Sequence, residues 1–346
     1  MTLRRRMRPL PLDRIRMTDS FWGTWQRTLR ERTLRAQWEQ ILQTGRLENF
    51  LRAGRGESGG FEGLYFNDSD VYKWIEACAY ALTIGPDPEI EEMMAQAVSA
   101  VAGAQEPSGY LNTFFQLMHP DLKWRNLGTM HEMYCGGHLI EAAVAHHQAT
   151  GSRSLLDVAT RFADHVMTVF GPGKRRGYCG HQEIELALVR LADHLDEPKY
   201  AEFARWMIEE RGRRPSIIEA ELKDEEAMKL SPWAPQFLLK DGHYRGDYAQ
   251  DHAPVREHTE VVGHAVRAMY FYAAATELAP PDDQALGEAL QTVWSNLTRK
   301  RMYLTGGIGP SAKNEGFTGD YDLPNTSAYA ETCAAIGLAM WGRRLL

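Results

Sequence analysis

An all-α protein arranged as a toroid of helical hairpins is the fold class this sequence predicts, and three observations predict it. Apolar residues recur at helical spacing along most of the chain. No period-two alternation of comparable length competes with them. The connections alternate between tight turns and longer segments rich in Gly, Tyr and His, as in stacked helix pairs with their long loops on one face.

The helices follow in order. About ten segments carry the pattern: 21–45, 69–84, 88–105, 131–150, 154–169, 181–195, 198–211, 256–278, 283–299 and 328–345. Val71, Trp74, Ile75, Cys78 and Leu82 form one buried stripe, with Asp68 or Ser69 placed to cap it. Gly85-Pro86-Asp87-Pro88 turns the chain into the next helix. Ile184, Ala187, Leu188, Leu191 and Leu195 repeat the stripe, and Pro198 opens its partner. The long connections are 105–112, 171–180 and 303–325. Six hairpins need twelve helices, so with about ten the barrel is expected to be incomplete at its C-terminus.

Composition narrows the function. A chain of 346 residues and 39.2 kDa has room for one large core. Its net charge of -7 and pI near 6.0 offer no basic field for nucleic acid. The four cysteines, Cys78, Cys135, Cys179 and Cys333, show no C-x-x-C pair and read as reduced thiols. Met1 to Leu12 holds four arginines with no signal-type apolar run behind them, and no segment has membrane-span length. The expectation is a cytoplasmic protein with a small organic partner and no membrane. Nine tryptophans and fourteen tyrosines suit sugar stacking or simply a large core.

Chemistry gathers late in the chain. Glu315 sits in a long Gly-rich loop, 306–325, of the length that usually serves function, although its position alone also fits a solvated carboxylate. Glu331 and Cys333 are one residue apart, so both can reach one ion only if 331–333 is not regular helix. Against that stands a stripe of Tyr329, Cys333, Ile336 and Met340, which makes Cys333 a buried core thiol. His131 and His181 each open a helix after a long loop, and His264 lies in Gly263-His264-Ala265-Val266-Arg267. Each reads alone as structural; together on one rim they suit a polyhydroxylated ligand. Cys78, Cys135 and Cys179 read as structural.

Taken in chain order, several motifs resemble glycoside hydrolase family 127, the β-L-arabinofuranosidase-like enzymes. They are Asp68-Ser69-Asp70-Val71-Tyr72-Lys73-Trp74, Gly109-Tyr110-Leu111, His131-Glu132-Met133-Tyr134, Gly180-His181-Gln182-Glu183, Gly263-His264-Ala265-Val266-Arg267, Arg301-Met302-Tyr303-Leu304-Thr305-Gly306, Asp320-Tyr321-Asp322-Leu323-Pro324-Asn325 and Glu331-Thr332-Cys333. The resemblance implies an (α/α)6 catalytic barrel over 1–346, with the family's C-terminal β-sandwich domains absent. It implies a retaining hydrolase of L-arabinofuranosides or related rare-sugar glycosides, a zinc-bound cysteine nucleophile, and a homodimer as one option for full-length members. By that resemblance Glu315 is the acid/base, Glu331 and Cys333 are zinc ligands, and His131, His181, His264 and Gln37 line the sugar subsite. The family's adjacent cysteine pair, one member of which is the nucleophile, has no counterpart after Cys333. The expectation is therefore an inactive N-terminal fragment with an incomplete zinc site. A non-catalytic sugar-binding module is the alternative, followed by another (α/α)6 carbohydrate enzyme such as an epimerase or unsaturated glucuronyl hydrolase.

Overall fold

The computed structural model describes residues 10–346, so most of the arginine-rich start lies outside the described residues. Helices dominate. The named strands among the described residues are one short antiparallel pair, Leu239–Lys240 and His243–Tyr244, with Leu239 opposite Tyr244. No helix among these residues is long and apolar enough to cross a membrane. The chain divides into two compact units, residues 10–124 with 134–169, and residues 125–133 with 170–346.

In the first unit the longer helices are α1 (Leu34–Gln43), α2 (Asp68–Leu82), α3 (Pro88–Ala104), α4 (Glu132–Thr150, all but its first two residues) and α5 (Ser154–Val169). The predicted stripe of α2 is buried at Val71, Trp74, Ile75 and Cys78. Trp74 stacks on Trp38 of α1 at 4.7 Å between ring centroids, and its indole N–H donates to the Leu34 carbonyl at 2.9 Å. Burying such rings with their polar atom satisfied is what fixes the pair. Asp87 caps α3 as its turn chemistry predicts, accepting from the Ile90 N–H at 3.3 Å. Asp68 does not cap α2. It lies inside the helix, buried, and accepts from both the backbone N–H and the hydroxyl of Thr113. The segment read as one helix over 21–45 is interrupted by a π-helical turn at Leu29–Thr33, and Arg46–Gly54 and Thr113–Met118 are additional short helices.

The second unit holds α6 (Ile184–Leu195), α7 (Pro198–Glu210), α8 (Ala265–Leu278), α9 (Gln284–Lys300) and α10 (Thr332–Leu345). α7 packs on α6, and α8 packs against both α6 and α10. The α8–α10 approach is close: a Cβ added at Gly337 would lie 2.8 Å from the Met269 Cβ. Trp341 stacks on Tyr272 at 5.0 Å and donates to the Thr276 hydroxyl at 2.8 Å. The buried face of α10 is Ala334, Gly337, Leu338 and Trp341. This corrects the stripe expected from Tyr329, Cys333, Ile336 and Met340: Tyr329 precedes the helix, while Cys333 and Ile336 face solvent. Both stripes have helical spacing, and packing against α8 selects the one with the small residue at the crossing.

The helix expected from 256 begins only at Ala265. Before it, Val255–Glu257 is a single 3-10 turn, and Gly263 takes a left-handed φ of 73°. A Cβ at Gly263 would sit 1.9 Å from the Asp247 carbonyl oxygen, so both the dihedral and the space require glycine. His264 then becomes the N-cap of α8.

Candidate active site

The long loop before α10 is not structureless. Gly316 pairs with Ser311 through two backbone bonds, 3.1 and 3.2 Å, and forms an antiparallel bridge with His264. The Phe317 N–H donates to the Gly263 carbonyl at 2.9 Å, and the Ala265 N–H donates to the Glu315 carbonyl at 3.0 Å. On the other side, Tyr329 and Ala330 donate to Pro310 and Gly309 at 3.0 and 2.9 Å. One backbone lattice thus carries His264, Glu315 and the approach to Glu331. His131, Glu315 and Ala330 hold positive φ values of 60°, 48° and 42°. Such non-glycine strain, of order 1–3 kcal/mol each, concentrates where surrounding contacts must fix a side chain for use.

Side chains complete the arrangement. His264 Nδ1 accepts from the Arg267 N–H at 3.4 Å, which places the proton of the neutral ring on Nε2. Nε2–H donates to Glu315 Oε2 at 3.1 Å, and the Tyr329 hydroxyl donates to Oε1 at 3.1 Å. Three imidazoles form a row: His131 to His181 and His181 to His264, each 5.3 Å between centroids. Tyr248 closes on His264 edge-on at 5.6 Å, and the Arg267 guanidinium lies over the Tyr248 ring at 4.4 Å. His131 and His181 use Nδ1 toward the carbonyls of Thr129 (2.7 Å) and Gln182 (3.1 Å).

Electrostatics separates these groups. Burial holds His181 well below the usual imidazole range, with Arg267, His131 and His264 adding to it. Burial also lowers His264 to about 4, against the opposing carboxylate of Glu315. Both rings are neutral near pH 7, the form that offers a donor and an acceptor to sugar hydroxyls. The hydrogen bond from His264 leads in lowering Glu315 to about 2, with Tyr329 and Arg267 contributing. Glu331 goes the other way, raised first by burial and then by the charge of Glu315.

Glu331 is the N-cap of α10, in extended backbone with ψ 140°, while Cys333 is already inside the helix. This break permits what a regular helix forbids: the Glu331 carboxylate is near enough to the Cys333 thiol to act on its ionisation. Glu331 Oε2 is buried and has no partner. Loss of solvent and then Glu331 push the Cys333 thiol up to about 11. A carboxylate and a thiol side by side, with one oxygen unsatisfied, suit zinc as two donors of a four-coordinate site. They do not complete it, and among the described residues no group of three or more His, Cys, Asp or Glu forms a metal site.

The structure therefore brings His131, His181, His264 and Glu315 into one contiguous cluster, with Glu331 and Cys333 as neighbours just beyond Tyr329. Gln37 lies in the first unit, exposed on α1. Cys78, Cys135 and Cys179 are buried, as expected. Sequence reasoning missed Tyr248, which lies far from the cluster along the chain and in no helical pattern. Tyr329 was visible only as part of the wrong stripe.

Residues 14–346 match the family described as "Beta-L-arabinofuranosidase, GH127 catalytic domain". The chain belongs to glycoside hydrolase family 127. It is 39% identical over 304 residues to a non-reducing end β-L-arabinofuranosidase of Bifidobacterium longum, covering 86% of this chain and 45% of that protein. It is similar to the crystal structure of a family 127 β-L-arabinofuranosidase from Geobacillus stearothermophilus T6, with a TM-score of 0.88 and 43% identity over 96% of this chain and 52% of that one. A second solved family 127 β-arabinofuranosidase aligns with a TM-score of 0.85 and 37% identity, covering 97% and 51%. The family 127 chain thus spans about half the length of these relatives, and it has the all-α, (α/α)6 fold class expected from its sequence.

Proposed function

We propose that this family 127 chain carries the sugar-binding and proton-transfer half of a retaining β-L-arabinofuranosidase site. The observation that carries the reading is the histidine row ending on Glu315, with the Glu331–Cys333 pair just past Tyr329. His131 and the neutral rings of His181 and His264 hold the hydroxyls of a terminal L-arabinofuranoside, and Glu315 is the acid/base. In the state described Glu315 is a carboxylate, the form that activates water. A sugar seated over it excludes solvent and competes for its two donors, which raises its pKa toward the protonated form that a leaving oxygen needs.

Glu331 and Cys333 would hold zinc as two of its ligands. When bound, the metal supplies the positive charge that keeps a cysteine ligand deprotonated at neutral pH. The four cysteines of this sequence include no adjacent pair. The protonated state of the Cys333 thiol favours a second reading for the 346-residue polypeptide as such, binding without turnover.

Calorimetric titration with methyl β-L-arabinofuranoside tests the proposal. Binding is expected, with loss of affinity of about tenfold or more in His181→Ala, the middle ring of the row. No hydrolysis of an aryl β-L-arabinofuranoside is expected from the polypeptide itself. Equal affinity in His181→Ala would remove the histidines from the subsite, and substantial turnover would refute the reading of binding without turnover.

A further inference from the structure

Two buried amides link the segments that carry the middle and last rings of the histidine row. Gln250 and Gln182 are 0% and 1% exposed. The Gln250 side-chain N–H groups donate to the carbonyls of Val262 at 2.9 Å and His264 at 3.4 Å, which fixes the way the amide faces and leaves Oε1 as an acceptor. Gln182 Nε2 donates to that Oε1 at 2.9 Å and to the Ala249 carbonyl at 2.8 Å. The contacts thus run from the neighbour of His181 to the carbonyl of His264 itself.

Both rings depend on these backbones. His181 Nδ1 bonds the Gln182 carbonyl at 3.1 Å, so the residue that the amide pair anchors also holds the ring. On the other flank of His181, Arg267 donates to the Gly180 carbonyl at 2.6 Å. The His264 N–H donates to the Tyr248 carbonyl at 3.2 Å, in the same turn as Gln250, and the Tyr248 ring packs edge-on against the imidazole. Each histidine is therefore held on one flank by another group, and the amide pair holds the second. Gln250 reaches this place in left-handed backbone, with φ 53°, a conformation that a non-glycine residue keeps only where its surroundings enforce it. A buried polar network shared between two segments allows them one relative placement.

We propose that Gln250, acting through Gln182, is a positioning residue for the sugar subsite: the amide pair clamps the backbone of His181 to that of His264 and so sets their rings 5.3 Å apart. The inference rests on the function proposed above and adds a residue that controls affinity without touching the sugar.

Nitrogen-15 NMR of the imidazoles in the ligand-free protein and calorimetric titration with methyl β-L-arabinofuranoside test it, with Tm recorded for every variant. Gln250→Gly keeps the left-handed turn and deletes the amide, while Gln182→Leu keeps the bulk and deletes the donor. Each is expected to shift the His181 and His264 ring signals and to weaken glycoside binding about tenfold. Because the two amides act as one unit, the double variant should lose about tenfold as well, where independent effects would multiply to about a hundredfold. Val293→Ala, a core truncation in α9, should lower Tm yet leave ring signals and affinity unchanged. Unmoved rings, unchanged affinity, multiplying losses, or an equal loss of affinity in Val293→Ala overturns the clamp. Ring shifts in both amide variants, with no glycoside binding by the unaltered chain, keep the clamp and overturn the histidine reading of the subsite. Unmoved rings together with no binding overturn both.

Discussion

Replacing Gly316 by alanine should disconnect Glu315 from His264. A Cβ on Gly316 would lie 1.8 Å from the Gly263 carbonyl oxygen and 2.8 Å from the His264 Cα, both backbone atoms that cannot rotate away. Carbon and oxygen approach to about 3.3 Å at best, so the two segments must part by roughly 1.5 Å. That movement breaks the Phe317–Gly263 and Ala265–Glu315 backbone bonds, 2.9 and 3.0 Å, and the 3.1 Å contact between His264 and Glu315. At about 1 kcal/mol net for each, the loss is about 2–4 kcal/mol, a drop in Tm of roughly 5–10 °C for a chain of this size. Methyl β-L-arabinofuranoside affinity should fall with it, because the third imidazole loses the partner that orients it. Scanning calorimetry and titration calorimetry read the two effects, with Gly287→Ala as control. Gly287 has open space around its Cβ position and lies in α9, so alanine there is neutral or stabilising by up to about 1 kcal/mol. A Gly316→Ala protein with unchanged Tm and affinity would show that the bridge does not build the site.

Two further outcomes follow from buried and half-buried ionisable groups. Burial pushes the Glu221 carboxyl from 4.5 up to about 7, against the N–H groups of Gly128 and Leu127 that favour its charged form. The folded state therefore binds a proton that the unfolded state has released, and stability present below pH 4.5 is lost as pH rises through 7, by about 1–3 kcal/mol. Glu221→Gln should flatten that decline in urea titrations between pH 5 and 8; an unchanged slope would assign it to other groups. Cys333 is the one exposed thiol of the four, and the Glu331 carboxylate helps keep it protonated. One accessible thiol per folded chain is expected to react with a disulfide reagent, slowly because it is protonated and faster in Glu331→Gln as the thiolate fraction rises. A second thiol reacting equally fast, or no acceleration, would contradict the pairing.

The division between what was legible in the residues and what was not follows the range of the forces involved. Local spacing set the α2 stripe at Val71, Trp74, Ile75 and Cys78, and Asp87-Pro88 announced the start of α3, because helix periodicity and capping act within a few residues. The resemblance of the motifs, taken in chain order, pointed to the family and through it to His131, His181, His264, Glu315, Glu331 and Cys333. The spacing of Glu331 and Cys333 also stated its own condition, that the helix must break between them, and the N-cap at Glu331 meets it. Spacing could not choose between two helical stripes on α10. Contact with Met269 and Tyr272 of α8 chose, burying Gly337 and Trp341 and turning Cys333 outward. Nor could it reveal Tyr248 beside His264 or the hydrogen bonds that make Glu315 a strong acid. These depend on backbone pairing between segments some fifty residues apart. The sequence by itself determined a helical family 127 chain and the residue types of its site; only the tertiary structure decided their protonation, their partners and which faces are open, because those are set by desolvation and by neighbours distant in the chain.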